Sequence, residues 1–123
     1  MADDERPQEF FVPGQPVPKG RPRMGKGGCY TPQRTKDYEK RVWVHAKKAG
    51  CRKLSGSVHL ELFFHMNRPS RADVDNLAKS VLDGLNGVLY NDDRQITTLS
   101  VTKVHVGEIE QEPGVNVWAA PDG

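Results

Sequence analysis

Residues 57–66 place an apolar side chain at every second position, and no other pattern in the chain constrains its fold as strongly. Val58, Leu60, Leu62, Phe64 and Met66 fall on one side of an extended backbone, and Ser57, His59, Glu61, Phe63 and His65 on the other. Helical spacing appears on both sides of this strand. Tyr38, Val42, His45 and Ala49 recur at i, i+4, i+7 and i+11, predicting an amphipathic helix over 33–49. Thr31 is its expected N-cap, Pro32 its first helical residue and Gly50 its stop. Leu77, Val81, Leu85 and Val88 share one face of a second helix, expected over 78–89. Residues 9–12, 96–106 and 115–119 read as further strands, the last two parted by Glu112-Pro113-Gly114. The order strand, helix, strand, helix, strand, strand describes an α+β domain, with two helices packed on one face of a mixed sheet. Because each helix separates two strands, parallel pairing becomes available.

A chain of 123 residues is the size of one domain, expected over 9–120 behind a polar, frayed tail at 1–8. Between Pro13 and Pro32 lie five prolines and five glycines, which suit an edge strand feeding a mobile basic loop through Gly28. With only 36% hydrophobic residues the core is modest, so a partner subunit is expected. No apolar run approaches the ~20 residues of a membrane span. The N-terminus lacks the basic start and apolar stretch of a signal peptide. Cys29 and Cys51 make neither a disulfide framework nor a zinc site and read as reduced thiols, so a cytoplasmic location is expected.

The charge is divided. Residues 18–53 hold twelve basic against two acidic residues, a net of +10, while the remainder holds six against fourteen, a net of −8. Such a division suits a polyanion track beside a cation-binding region. The acidic part is concentrated in two places. Asp73 and Asp75 stand two apart where the strong strand gives way to the second helix, and Asp92-Asp93 opens the next strand. Lys79 lies one helical turn beyond Asp75. Four carboxylates with few compensating cations repel one another unless a divalent cation sits among them. Hard oxygen ligands, with no Cys and no paired His nearby, favour Mg²⁺ or Mn²⁺ over zinc. Each piece also has a plainer reading: Asp75 as a helix cap, Asp92-Asp93 as a turn, Lys79 as a solvated helix residue. Asp83, a further turn along, reads as a salt-bridge partner rather than a ligand.

The four histidines and Tyr90, Trp43 and Trp118 read as packing or surface residues, and no Gly-x-Ser-x-Gly elbow supports a serine nucleophile. No organic cofactor is called for. Lys19, Arg21, Arg23, Lys26, Arg34, Lys36 and Arg71 are the expected phosphate contacts, binding by charge and shape rather than by base reading.

Several runs together resemble the RusA-type Holliday junction resolvases of bacteria and their prophages. These are Pro16-Val17-Pro18-Lys19-Gly20-Arg21-Pro22-Arg23, Tyr30-Thr31-Pro32, Asp73-Val74-Asp75-Asn76-Leu77-Ala78-Lys79, Leu82-Asp83-Gly84-Leu85-Asn86-Gly87 and Asn91-Asp92-Asp93-Arg94-Gln95-Ile96. The resemblance spans roughly residues 9–107. It implies a homodimeric, Mg²⁺-dependent endonuclease that nicks four-way DNA junctions in recombination and repair, acting at the nucleoid. By position it implies Asp73, Asp75 and Asp93 as essential metal-binding carboxylates, Asp92 as an additional one and Lys79 as an essential lysine. Residues alone leave two other readings open: a non-catalytic DNA- or RNA-binding module, and a metal-dependent nuclease for other branched DNA.

Overall fold

The computed structural model describes residues 6–67, 71–105 and 112–123. Strand β1 (Gln8–Pro13) leads through the Pro- and Gly-rich segment into two short strands, β2 (Arg23–Gly25) and β3 (Gly28–Tyr30). Helix α1 (Gln33–Lys48), strand β4 (Val58–Met66) and helix α2 (Val74–Gly84) follow. A 3-10 turn (Asp93–Gln95) then opens onto β5 (Ile96–His105), and β6 (Gly114–Pro121) closes the chain. The four long strands form one sheet in the order β1-β6-β4-β5. β6 is antiparallel to β1 and β4, and β5 is parallel to β4. A parallel neighbour requires a crossover connection, and α2 lies in it. The class is the expected α+β, with a mixed sheet.

The alternation in β4 is realised side chain by side chain: Val58, Leu60, Leu62, Phe64 and Met66 are at most 2% exposed. They join Val12, Val115, Val117 and Ala119 from neighbouring strands, Tyr38, Val42 and Ala46 from α1, and Leu77 and Val81 from α2 in one core. The other face of the sheet carries His59 edge-on to Trp118 at 5.0 Å, and His65 hydrogen-bonded to Asn116 Oδ1 at 2.8 Å. Among the described residues no helix is long and apolar enough to cross a membrane. Cys29 and Cys51 are both free thiols.

Several element boundaries differ from the sequence pattern. Pro32, not Thr31, holds the N-cap position of α1, in an extended conformation with no side-chain cap; its carbonyl accepts the amides of Thr35 and Lys36. The buried stripe of α1 is Thr35, Tyr38, Val42 and Ala46, whereas His45 is half-buried and Ala49 exposed. The stripe is set by α2, whose Gly84 seats against Val42 and the Glu39 carbonyl. α2 itself begins at Val74 and stops at Gly84 instead of running from 78 to 89. Leu85, Val88 and Leu89 stay buried because the chain turns back through Gly87 (φ +83°), and Leu54 N then donates to the Leu89 carbonyl at 2.8 Å.

The segment expected as a loop is an antiparallel hairpin, with Arg23 opposite Tyr30 and Gly25 opposite Gly28. Gly28, at φ +104°, takes the left-handed backbone that opens the return strand. β1 takes in Gln8, which was expected in the tail. Its amide clasps the Arg52 backbone through both ends, accepting from Arg52 N at 2.6 Å and donating to Arg52 O at 2.9 Å. Residues 1–5 of the expected tail and Val106 of the expected strand lie outside the described residues.

Candidate active site

α2 leaves the sheet with two aspartates at its N-terminal end. Asp73 is the N-cap residue, and its backbone carbonyl accepts Leu77 N at 3.0 Å; its side chain makes no capping hydrogen bond. Asp75 lies in the first turn rather than at the cap, with Oδ1 accepting Asn76 N at 2.9 Å. Both residues are exposed, at the pole where the helix's unpaired amides favour negative charge. Just upstream, Lys103 of β5 donates to the Ala72 carbonyl at 2.8 Å, tying the start of α2 to the sheet edge.

The second acidic pair is held by a reciprocal cap. The Asp92 carboxylate accepts Arg94 N at 2.9 Å, and Gln95 Oε1 accepts the amides of Asn91 and Asp92. Gln95 Nε2 in turn donates to the Leu54 and Gly56 carbonyls, at 2.8 and 2.9 Å, so the turn is fastened to the segment before β4. The Arg94 amide foremost, with the Arg94 guanidinium beyond it, holds the Asp92 carboxyl below the usual carboxylate range. Beneath the turn, Tyr90 is fully buried and donates its hydroxyl to the Leu82 carbonyl at 2.7 Å. Burial, then the charges of Asp93, Asp83 and Asp92, push its phenol far up and keep it neutral.

Lys79 connects α2 to the second acidic pair. Its ammonium lies 2.9 Å from Asp83 Oδ1 and 3.1 Å from Asp93 Oδ2. The bond to Asp83, foremost, and that to Asp93 outweigh partial burial and hold its pKa above the ordinary lysine value. Spacing alone paired Lys79 with Asp75; the structure gives it the other i, i+4 neighbour, Asp83, in the salt-bridge role expected for that residue. Asp83 has a second cation on its other oxygen: Lys19 Nζ lies 2.9 Å from Oδ2 and 2.8 Å from Glu39 Oε2 of α1. Burial opposes the Lys19 charge, but these two bonds outweigh it and raise its pKa. Of the four carboxylates expected to lack compensating cations, Asp93 is faced by Lys79 and Asp92 by Arg94 Nε at 3.4 Å, whereas Lys19 serves Asp83 and Glu39.

The remaining basic residues divide from Lys19. Arg21, Arg23 and Lys26, on or beside the β2–β3 hairpin, are exposed, as are Arg34 and Lys36 at the start of α1 and Arg71 just before α2. An open cavity of about 440 Å³ between the hairpin and α1 is lined by Arg21, Arg23 and Arg34 over Val17, Pro22 and Pro32. Glu39 and Ser80 escaped the sequence reading. Ser80 is fully buried and donates to the Val17 carbonyl at 2.7 Å; its place beside the apolar stripe of α2 was the available signal.

The donors suit a hard divalent cation in kind, all being carboxylate oxygens at or near the surface. Among the described residues, however, no group of three or more His, Cys, Asp or Glu side chains is gathered closely enough to hold a metal ion. In this arrangement the cation facing Asp93 is Lys79.

Two comparisons bear on this geometry. A family model described as endodeoxyribonuclease RusA matches residues 13–118, which include every carboxylate and lysine named above. The chain is also similar to the uncharacterized protein YqaN of Bacillus subtilis (strain 168), with 28% identity over 135 aligned residues covering 89% of this chain and 92% of that protein.

Proposed function

The chain belongs to the RusA endodeoxyribonuclease family, and from that premise we propose that it is a Mg²⁺-dependent resolvase of four-way DNA junctions, working as a homodimer in the cytoplasm at the nucleoid. The observation that carries this reading is the contact of Lys79, midway along α2, with Asp93 of the acidic turn before β5. By family position Asp73, Asp75 and Asp93 would be the metal's ligands, with Asp92 as an additional one and Mn²⁺ as a substitute ion, and they would have to draw closer than they lie here to hold it. Bound there, the metal would supply an acidified water and positive charge against the transition state of phosphodiester hydrolysis. Lys79 neutralises a non-bridging phosphate oxygen, a task suited to an ammonium whose neighbours keep it charged. The buried, neutral Tyr90 closes the floor beneath the acidic turn.

Arg21, Arg23, Lys26, Arg34, Lys36 and Arg71 take the phosphates, since their exposed charges face solvent. A two-fold dimer presents two equivalent sites to a junction, which yields paired nicks in strands of like polarity. The test compares a four-way junction, a flap and a linear duplex at one salt concentration, with Mg²⁺ and with EDTA. Junction cutting that requires Mg²⁺ and exceeds flap cutting is expected. Equal cutting of flaps would replace this reading with a general branched-DNA nuclease, and binding without cutting would replace it with a non-catalytic module.

A further inference from the structure

Five side chains of alternating charge run across the molecule: Glu39 on α1, Lys19 in the segment after β1, Asp83 and Lys79 on α2, and Asp93 in the 3-10 turn. Successive contacts measure 2.8, 2.9, 2.9 and 3.1 Å. Asp83 is the hinge of the chain, because each of its two oxygens takes one ammonium: Oδ2 that of Lys19 and Oδ1 that of Lys79. Its side chain is 18% exposed, so little water is available to replace either cation.

We propose that Lys19 is a positioning residue for Lys79, acting through Asp83, and not a phosphate contact. The proposal rests on the preceding reading for the placement of Lys79 in the active site. Lys19 reaches Asp83 from a backbone that is pinned to both helices. Lys19 N donates to the Asn76 carbonyl at 2.8 Å, Gly20 N donates to Thr35 Oγ1 at 3.0 Å, and Ser80 Oγ donates to the Val17 carbonyl at 2.7 Å. A lysine meant to follow a flexible polyanion would not need its own amide, Gly20 and Val17 all held. Its side chain is only 24% exposed, against 49% for Lys79, and its ammonium is already shared between two carboxylates, so moving it to a phosphate would strip both. The hairpin arginines carry no such commitment to Asp83 and remain available to DNA.

The consequence for Lys79 follows from sharing. While Lys19 occupies Oδ2, Asp83 offers Lys79 one oxygen, and the ammonium keeps a direction free for Asp93. Without Lys19, the three carboxylates are left with one lysine in place of two, and Asp83 and Asp93 are those that touch it. Asp83 then draws Lys79 onto both oxygens and away from the acidic turn.

The decisive variant is Lys19→Met, which keeps the stem and removes the charge, made in the full chain. Two measurements are taken: the single-turnover rate on saturating junction in Mg²⁺, and junction affinity against salt in EDTA. The rate is expected to fall about 10- to 100-fold, the scale of a reacting group displaced by about 1 Å. The salt slope should not change, whereas removal of a true phosphate contact would reduce it by about 0.9. Lys19→Arg, which restores the charge, should recover much of the rate. In an Asp83→Asn background, Lys19→Met should have little further effect on the rate, because the link is already cut. A reduced slope, or an unchanged rate in folded Lys19→Met, overturns the proposal. Should Lys19→Met not fold, Asp83→Asn decides the matter from the other side of the link: a slowed rate at unchanged slope supports it, and an unchanged rate overturns it. The slope arm needs no cleavage, so a wild-type protein that did not cut junctions would sink the preceding reading while the slope still tested whether Lys19 meets phosphate.

Discussion

Asp73 and Asp75 stand two residues apart at the same helix end, yet only Asp75 spends an oxygen on the local backbone; Asp73 makes no capping bond. A carboxylate at an N-cap that leaves the first amides to other acceptors gives up the usual stabilisation of that position, typically about 1 kcal/mol. Asp73→Asn is therefore expected to leave the unfolding midpoint nearly unchanged. Junction binding in EDTA should be as tight as wild type or tighter, because one negative charge facing the phosphates is gone. Cleavage in Mg²⁺ should fall by several orders of magnitude, since a ligand for the ion that activates water is removed. Gel-shift and single-turnover assays on the same preparation check both halves. Near-wild-type cleavage by folded protein would end the assignment of Asp73 as a ligand. The acidic residues themselves were legible in the sequence, as was the salt-bridge role of Asp83. A lysine in a basic run looks like its neighbours, and nothing local reveals that Glu39 and Asp83 converge on Lys19.

At the scale of elements, the contact between α1 and α2 sets both the stripe that α1 buries and the distance across which Lys19 bridges them. It depends on Gly84. A Cβ there would lie 2.8 Å from the Glu39 carbonyl oxygen and 2.9 Å from Val42 Cβ, and the first of these is backbone that cannot swing aside. Gly84→Ala is expected to lose about 1–3 kcal/mol as the helices are forced apart. Gly27→Ala, whose Cβ would meet nothing within 4 Å, should stay within about 0.5 kcal/mol of wild type. Urea denaturation of the two variants makes the comparison, and equal midpoints would refute the close-crossing account. β4 was fully legible because a two-residue period leaves no choice of register for a half-buried strand. The stripe of α1 was only half legible. Tyr38 and Val42 fit two overlapping stripes, and the position of α2 selects the one with Thr35 and Ala46. The β2–β3 hairpin escaped because strands of three residues are too short to show a period, and Pro and Gly on either side read as loop.

Across the whole molecule, the basic segment and the acidic regions meet at one place without merging. Lys19 is neutralised at the junction of α1 and α2, while the arginines of the hairpin stay exposed. Binding strength should accordingly reside in the hairpin. Replacing Arg21 and Arg23 together with Gln is expected to weaken binding to junction and linear duplex alike. The log–log salt dependence should flatten by about 0.9 for each phosphate no longer neutralised, with the single-turnover rate at saturating junction largely kept. A pair of arginines whose replacement left the salt slope untouched would make the hairpin a structural feature instead of a DNA-binding one.

Local chemistry along the chain determined the class of the fold, its best strand, the existence of both helices, the division of charge and the two acidic regions. These follow from the direction successive side chains take on one strand or helix, a property each segment carries alone. Tertiary structure decided which charges meet. Lys19 and Asp83 are far apart in the chain and come within 2.9 Å only because Ser80 and Asn76 of α2 hold the backbone at Val17 and Lys19. An ion pair depends on how independently formed elements dock, and docking is fixed by buried contacts such as Gly84 against Val42 that have no period to betray them.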